Sequence, residues 1–168
     1  MTSGWPPPLG KSLADFGGDW EAFKAHAYSV YYEGFYANPP VWPVSGVRFN
    51  LKRFPEFEGR CKTFWHLISE GSDESNRRPV DDRCQRIAWA RILLEDFCSC
   101  YPNGVTASVV WWKNTRRGSN RILIAPPDFS YVVVLDDRGS YILFWTAYPV
   151  EHSNRRRRLR EEYESYWR

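Results

Sequence analysis

Tyr131-Val132-Val133-Val134-Leu135-Asp136-Asp137-Arg138-Gly139-Ser140-Tyr141-Ile142-Leu143-Phe144-Trp145-Thr146-Ala147-Tyr148 decides the fold. Two runs of β-branched, aromatic and aliphatic residues flank Asp136-Asp137-Arg138-Gly139, a turn too short for a crossover, so the two strands are antiparallel neighbours. Upstream, Val105 to Trp112 and Arg121 to Ala125 read as two more strands, and Arg116-Arg117-Gly118-Ser119 reads as a second hairpin turn.

Helical signals surround these strands. Asp19 is a good N-cap for a helix starting at Trp20, whose buried stripe is Trp20, Phe23, Ala27, Val30, Tyr31 and Gly34. Asn38-Pro39-Pro40 ends it, and residues 38–59, rich in Pro and Gly, read as irregular. Arg60 to Ile68 reads as a strand, with Lys62, Phe64, His66 and Ile68 on one side and Cys61, Thr63, Trp65 and Leu67 on the other. A polar loop over 69–78 follows. A helix then spans 81–97, led by Asp81 and Asp82 and buried along Ile87, Ala88, Leu94 and Cys98. Tyr101-Pro102-Asn103-Gly104 is a turn. A last helix, 153–167, carries Leu159, Tyr163 and Tyr166 on its apolar side.

The predicted architecture is α+β: an antiparallel sheet of four to five strands, with N-terminal, central and C-terminal helices packed on one face. The whole chain, 1–168, is expected to be one domain. Residues 1–14, with Pro6-Pro7-Pro8, are a flexible leader; 15–59 an N-terminal extension; 60–150 the core; 151–168 the C-terminal helix.

Aromatic residues make up 17% of the chain, with nine Trp and ten Tyr, which excludes a disordered polymer. The net charge of +3 permits a nucleic-acid partner without requiring one. The four cysteines, Cys61, Cys84, Cys98 and Cys100, contain no Cys-x-x-Cys pair, and no histidine lies at ligand spacing from them. Four reduced thiols, no metal and a cytoplasmic location are expected. No secretory signal or membrane span is readable. Phosphate-binding loops, the dinucleotide glycine signature, His-Glu-x-x-His and Gly-x-Ser-x-Gly are all missing.

What remains is a scatter of groups suited to phosphodiester chemistry. Metal-free RNA cleavage needs a base for the 2′-hydroxyl, an acid for the departing 5′-oxygen and cations for the charged transition state. His66 is the first candidate for acid/base work, against the alternative of a core histidine. His26 is expected at a helix border. His152 is the fallback, close in sequence to Thr146 and Tyr148. Arg83 and Arg86 lie one helical turn apart, and Arg121 opens an apolar strand; each is a phosphate clamp or a solvated charge. Thr146 and Tyr148 are expected to share a strand face with Ile142 and Phe144, at a strand end set by Pro149. Glu70 and Glu74 could orient an imidazole or act as base. Arg155 and Arg156 open the run Arg155–Arg158, which either contacts RNA backbone or pairs along the helix, as Arg157–Glu161 and Arg158–Glu162.

On these residues the chain resembles the barnase–EndoU–colicin–RelE-like ribonuclease toxins, in their phage and mobile-element forms. Thr63-Phe64-Trp65-His66 looks like the histidine-bearing strand, and Phe144-Trp145-Thr146-Ala147-Tyr148-Pro149 is similar to the last strand of such members. The resemblance implies an antiparallel sheet whose face holds a His, a cation and a hydroxyl. It implies a metal-independent RNA endonuclease, toxin-like or defence-related, without a cofactor and with RNA and a neutralising protein as partners. His66, Arg86, Arg121, Thr146 and Tyr148 would be catalytic, and Arg83, Arg155 and Arg156 would bind substrate. Two rivals stand beside it. One is a non-enzymatic phage or mobile-element protein gripping a host or defence protein through an aromatic and Arg surface. The other is a metal-dependent nuclease using Glu70, Asp81 or Asp82 with His66.

Overall fold

A computed structural model describes residues 5–71, 77–103 and 108–168. The elements are α1 (Trp20–Tyr32), continued by a π-helical turn (Glu33–Ala37), β1 (Arg48–Leu51), α2 (Lys62–Ile68), β2 (Ser69–Glu70), β3 (Arg78–Pro79), α3 (Asp81–Gln85), α4 (Trp89–Cys100), β4 (Val110–Arg116), β5 (Ser119–Ala125), β6 (Tyr131–Asp137), β7 (Tyr141–Pro149) and α5 (Ser153–Tyr166). The class is α+β, as expected. Glu74, Gly104 and Val105 lie outside the described residues.

The main sheet has five strands in the order β1-β7-β6-β5-β4. Strands β4 to β7 form the antiparallel meander that the two short turns dictate. At the first turn Arg117 and Gly118 both take positive φ, the geometry that matches the twist of a tight hairpin. The sheet is nevertheless mixed, because β1 pairs in parallel with β7, Arg48 opposite Tyr141 through Leu51 opposite Phe144. That strand falls in the segment expected to be irregular. At four residues between Pro-rich stretches, its alternation is too short to read.

Alternation along the strands separates two cores. Trp111, Ile122, Ile124, Tyr131, Val133, Leu135, Ile142 and Phe144 face α1 to α4. Val110, Trp112, Leu123, Ala125, Val132 and Val134 face the side where α5 docks through Leu159. Helices therefore cover both faces, a correction to the one-face expectation. Glu162 of α5 fixes the docking by accepting from Trp112 Nε1 (2.7 Å) and Asn114 Nδ2 (3.0 Å). It is thus withdrawn from the expected pairing with Arg158, while Arg157 and Glu161 sit 4.0 Å apart in solvent.

The second correction bears on the site. Residues 60–68 are not a strand: Lys62–Ile68 is helix α2, which buries Thr63, Phe64, His66, Leu67 and Ile68. A seven-residue segment with only Phe64, Trp65, Leu67 and Ile68 apolar satisfies periods of 2 and 3.6 almost equally, and tertiary context decides. The context here is an open sheet edge. Strand β1 ends opposite Phe144, so beyond it β7 has no strand on that edge, and α2 lies against it. Thr63 completes the join: its hydroxyl donates to Phe144 O (3.0 Å) and accepts from Lys52 N (2.7 Å).

The central helix is two helices, broken at Arg86–Ala88. The carbonyl of Gln85, at the end of α3, accepts a bond from Gly10 N (2.8 Å). From Trp5 onward the expected flexible leader lies along this break. Trp5 Nε1 donates to Ser130 Oγ (2.9 Å), Trp89 Nε1 donates to Pro8 O (3.3 Å), and Leu13 N donates to Asp81 Oδ1 (3.0 Å). The Trp5 ring meets Trp89 edge-on at 5.0 Å. Polyproline composition favoured an extended backbone, and tryptophan burial tethers it. The four cysteines are unbridged. No described helix is long and apolar enough to cross a membrane.

Candidate functional site

Strand β7 carries an irregularity that sets the site. Leu135 lies opposite Phe144 and Val134 lies opposite Thr146, leaving Trp145 unpaired in a β-bulge. A bulge of one residue reverses the facing of everything beyond it. Ile142 and Phe144 join the α1–α4 core, whereas Thr146 and Tyr148, opposite Val134 and Val132, face the α5 side. The expectation that these four share a face is corrected here. No alternation rule anticipates a bulge.

Beyond the bulge lies a cleft of about 240 Å³, where the end of β7 turns into α5. Glu70, Arg83, Tyr148, Glu151, His152 and Arg155 contribute to its walls. Tyr148 stands between two guanidinium groups. Arg155 Nη2 donates to its hydroxyl (3.2 Å), and the Arg83 guanidinium carbon lies 5.6 Å from its ring centroid. Arg83 is itself anchored where α2 ends, donating through Nη1 to Ser69 O (2.6 Å) and His66 O (3.1 Å). Carbonyls at a helix C-terminus lack partners within the helix and attract a cation. Burial lowers the pKa of Arg83 from its ordinary value, against the opposing charges of Glu70, Tyr131, Tyr148 and Glu151.

His152 is the N-cap of α5, is exposed, and makes no side-chain capping bond. The positive end of the helix dipole therefore lies at the cleft. Arg156 secures the corner by donating through Nε to Val150 O (2.7 Å).

The structure distributes the expected site residues unevenly. It gathers Tyr148, Arg83 and Arg155, and Thr146 joins through a long contact of 3.4 Å to His66 O. The His66 side chain takes another direction. It is 7% exposed, its ring packs 5.5 Å from Trp145, and it lines a separate pocket of about 410 Å³ with Lys24, Lys62, Trp65 and Arg77. Arg86 leaves the cleft altogether, donating to Asp82 O (2.8 Å) and lying over Trp89 at 5.0 Å. The helix break turns it away from Arg83, a placement that uninterrupted helical spacing did not foresee. Arg121 sits on β5 between Asn114 and Asp136 and lines a third pocket with Lys113 and Tyr166. Burial lowers its pKa, with Arg116 adding to the effect and Asp136 and Tyr148 opposing it.

The histidine in the cleft is thus His152. The legible signal for it was position: Glu151 and His152 bridge a strand-ending proline and a helix start, where a loop residue faces solvent and ligand. Of the metal-site carboxylates, Asp81 accepts from Leu13 N and from Gln85 Nε2, and Asp82 lies 3.9 Å from Arg86. Among the described residues no three His, Cys, Asp or Glu side chains converge as a ligand set.

Compared with protein families, curated proteins and solved structures, the chain matches none of them. The functional reading rests on its own geometry.

Proposed function

We propose that this protein is a metal-independent RNA endonuclease, toxin-like or defence-related, acting in the cytoplasm and working through the cleft at the end of β7. The observation that carries the reading is Tyr148 held between Arg83 and Arg155 with His152 on the same wall. Two guanidinium groups, Arg83 anchored on Ser69 O and His66 O and Arg155 bonded to the Tyr148 hydroxyl, suit a phosphate whose charge grows in the transition state. The Tyr148 hydroxyl hydrogen-bonds a non-bridging oxygen. Glu70 takes the proton of the 2′-hydroxyl, whose oxygen attacks phosphorus. His152 gives a proton to the departing 5′-oxygen. The products are a 2′,3′-cyclic phosphate and a 5′-hydroxyl. By analogy with such toxins, a protein partner would neutralise the enzyme.

The test is incubation with total RNA and tRNA, with and without EDTA, for wild type, His152→Ala, Arg83→Ala and His66→Ala, with analysis of the product ends. Cleavage that resists EDTA, leaves cyclic phosphate and depends on His152 supports the reading. Cleavage depending on His66 and not on His152 moves the site to the neighbouring pocket. If no RNA is cut, cleavage is abandoned.

One observation favours the binding-module alternative. Phe54 and Phe57 are 70% and 64% exposed, and Val41 is 83% exposed. Solvated aromatic side chains of this size are the raw material of protein interfaces. This reading leads if RNA is left intact.

A further inference from the structure

Trp145 is the residue that the bulge displaces from pairing. It is half-buried, and two ammonium groups stand near its indole, Lys62 Nζ at 5.4 Å and Lys52 Nζ at 5.9 Å. The chain has only five lysines, so two meeting at one ring is a concentration of charge. They come from different elements: Lys52 follows the last residue of β1, and Lys62 opens α2. Both elements are fixed at this spot by the Thr63 hydroxyl, which bonds to Lys52 N and to Phe144 O.

Three other indoles are used differently, while half-buried Trp65 has a single lysine near its ring, Lys24 Nζ at 5.6 Å, and donates its N–H to Phe57 O. Trp112 is fully buried, and its N–H is bound by Glu162. Trp111 and Trp89 are nearly buried and donate to Asn103 O and Pro8 O. Trp145 is placed instead at the sheet edge bordered by α2, three residues before Tyr148, roughly 10 Å along the strand from the cleft.

We infer that Trp145, with Lys52 and Lys62, is a stacking platform for one base of a single-stranded RNA, the two lysines taking the phosphates on either side. This rests on the RNA reading of the neighbouring cleft and names its substrate as single-stranded. The physical logic is an exchange. In the free protein the ammonium groups lie near the electron-rich indole. An arriving base takes the ring face, and the lysines swing on their flexible stems to the phosphates. A base inside a duplex has both faces covered by its neighbours and cannot make the exchange.

The test uses a labelled 2′-O-methyl RNA octamer, which cannot be cut by 2′-hydroxyl attack, as a single strand and as its duplex. Fluorescence anisotropy is read over a salt series for wild type, Trp145→Ala, Trp145→Phe and the double variant Lys52→Ala/Lys62→Ala, each checked by thermal melting. The single strand should bind more tightly than the duplex. Trp145→Ala should weaken binding by about ten- to a hundredfold, and Trp145→Phe should keep most of it. The lysine double variant should reduce the salt slope by about 1.4, roughly 0.7 for each single-strand phosphate that no longer meets a lysine. Equal or tighter duplex binding, no binding by wild type (as for a chain whose ligand is a protein), or an unchanged Trp145→Ala overturns the inference. So does a Trp145→Phe as weak as Trp145→Ala, which would mark a packing role. Binding that depends on Trp145 in a protein that cuts no RNA keeps the platform and removes the nuclease. Cleavage with Trp145→Ala binding like wild type does the reverse.

Discussion

Under α1 to α4 the sheet presents Ile124, Val133, Leu135 and Phe144, each fully buried. On the α5 side the same strands present Leu123, Val132 and Val134, and then, from the bulge onward, the half-buried Trp145, Thr146 and Tyr148. One strand, β7, contributes to both: Ile142 and Phe144 in its first half are core, and Tyr148 and Pro149 at its end line a cleft. The two faces show that a single inserted residue can divide one strand between stability and chemistry. Substitutions on the two sides should therefore fail in different ways, and four tests can break or sharpen that contrast.

The largest effect belongs to the cleft. His152→Ala should slow RNA cleavage by about 10²–10⁴-fold, the usual span for losing an acid/base group. Its thermal midpoint should stay near that of wild type, because His152 is exposed. A variant that melts early and loses activity in proportion would place His152 among the structural residues.

The dry face should show the opposite pattern. Phe64 is fully buried, with Tyr28 at 5.1 Å and Tyr31 at 5.5 Å between ring centroids. Phe64→Ala should cost about 3–5 kcal/mol of stability in denaturant titration, with the folded fraction retaining its chemistry. A loss below about 1 kcal/mol would mean that this side is not packed to the density expected of a core.

Alkaline pH probes the α1–α4 side more gently, since Cys84 belongs to that core and Cys98 packs against it. Burial pushes the Cys84 thiol up to about 12 and the Cys98 thiol up to about 11, from an ordinary value of 9.0. A thiol whose folded pKa is raised contributes stability that is complete below pH 9. That contribution is lost as pH rises toward the folded values, because only the unfolded chain ionises there. Each such thiol should lower stability by up to about 1.4 kcal/mol per pH unit in that window. Cys84→Ser should flatten the fall seen in thermal melts from pH 8.5 to 10.5. An identical slope in that variant would remove Cys84 from the account.

The smallest effect tests the helix break. Arg86 lies over Trp89 and bonds to Asp82 O, away from the cleft. Arg86→Ala should change cleavage less than twofold and stability by about 0.5–1 kcal/mol. A hundredfold loss of cleavage would restore the uninterrupted helix that the sequence suggested, with Arg83 and Arg86 on one face.

The meander was legible because its signals are local. Runs of Val, Ile and aromatics separated by Arg117-Gly118 and Arg138-Gly139 leave an antiparallel hairpin as the economical solution. Asp19 accepts from Glu21 N and Ala22 N as an N-cap should, so α1 was readable for the same reason. The cleft was legible in part. Tyr148, Arg83 and Arg155 were picked out by residue type and position, and the structure brings them together. What failed was whatever depended on distant neighbours. Thr63-Phe64-Trp65-His66 alternates like a strand, yet it forms a helix because β1 stops at Leu51 and leaves an edge of β7 to cover.

The sequence alone therefore determined the α+β class, the hairpin order of β4 to β7, the helices at each end and the kinds of side chain a site here can use. Those follow from short-range terms: backbone φ preferences, capping and the spacing of apolar residues. Tertiary structure alone decided that β1 enters in parallel, that α2 is a helix, that Trp145 is displaced, and that His152 rather than His66 stands with Arg83, Tyr148 and Arg155. Each of these depends on what lies across the sheet edge, supplied by residues up to about a hundred positions away, and no local pattern encodes a neighbour at that distance.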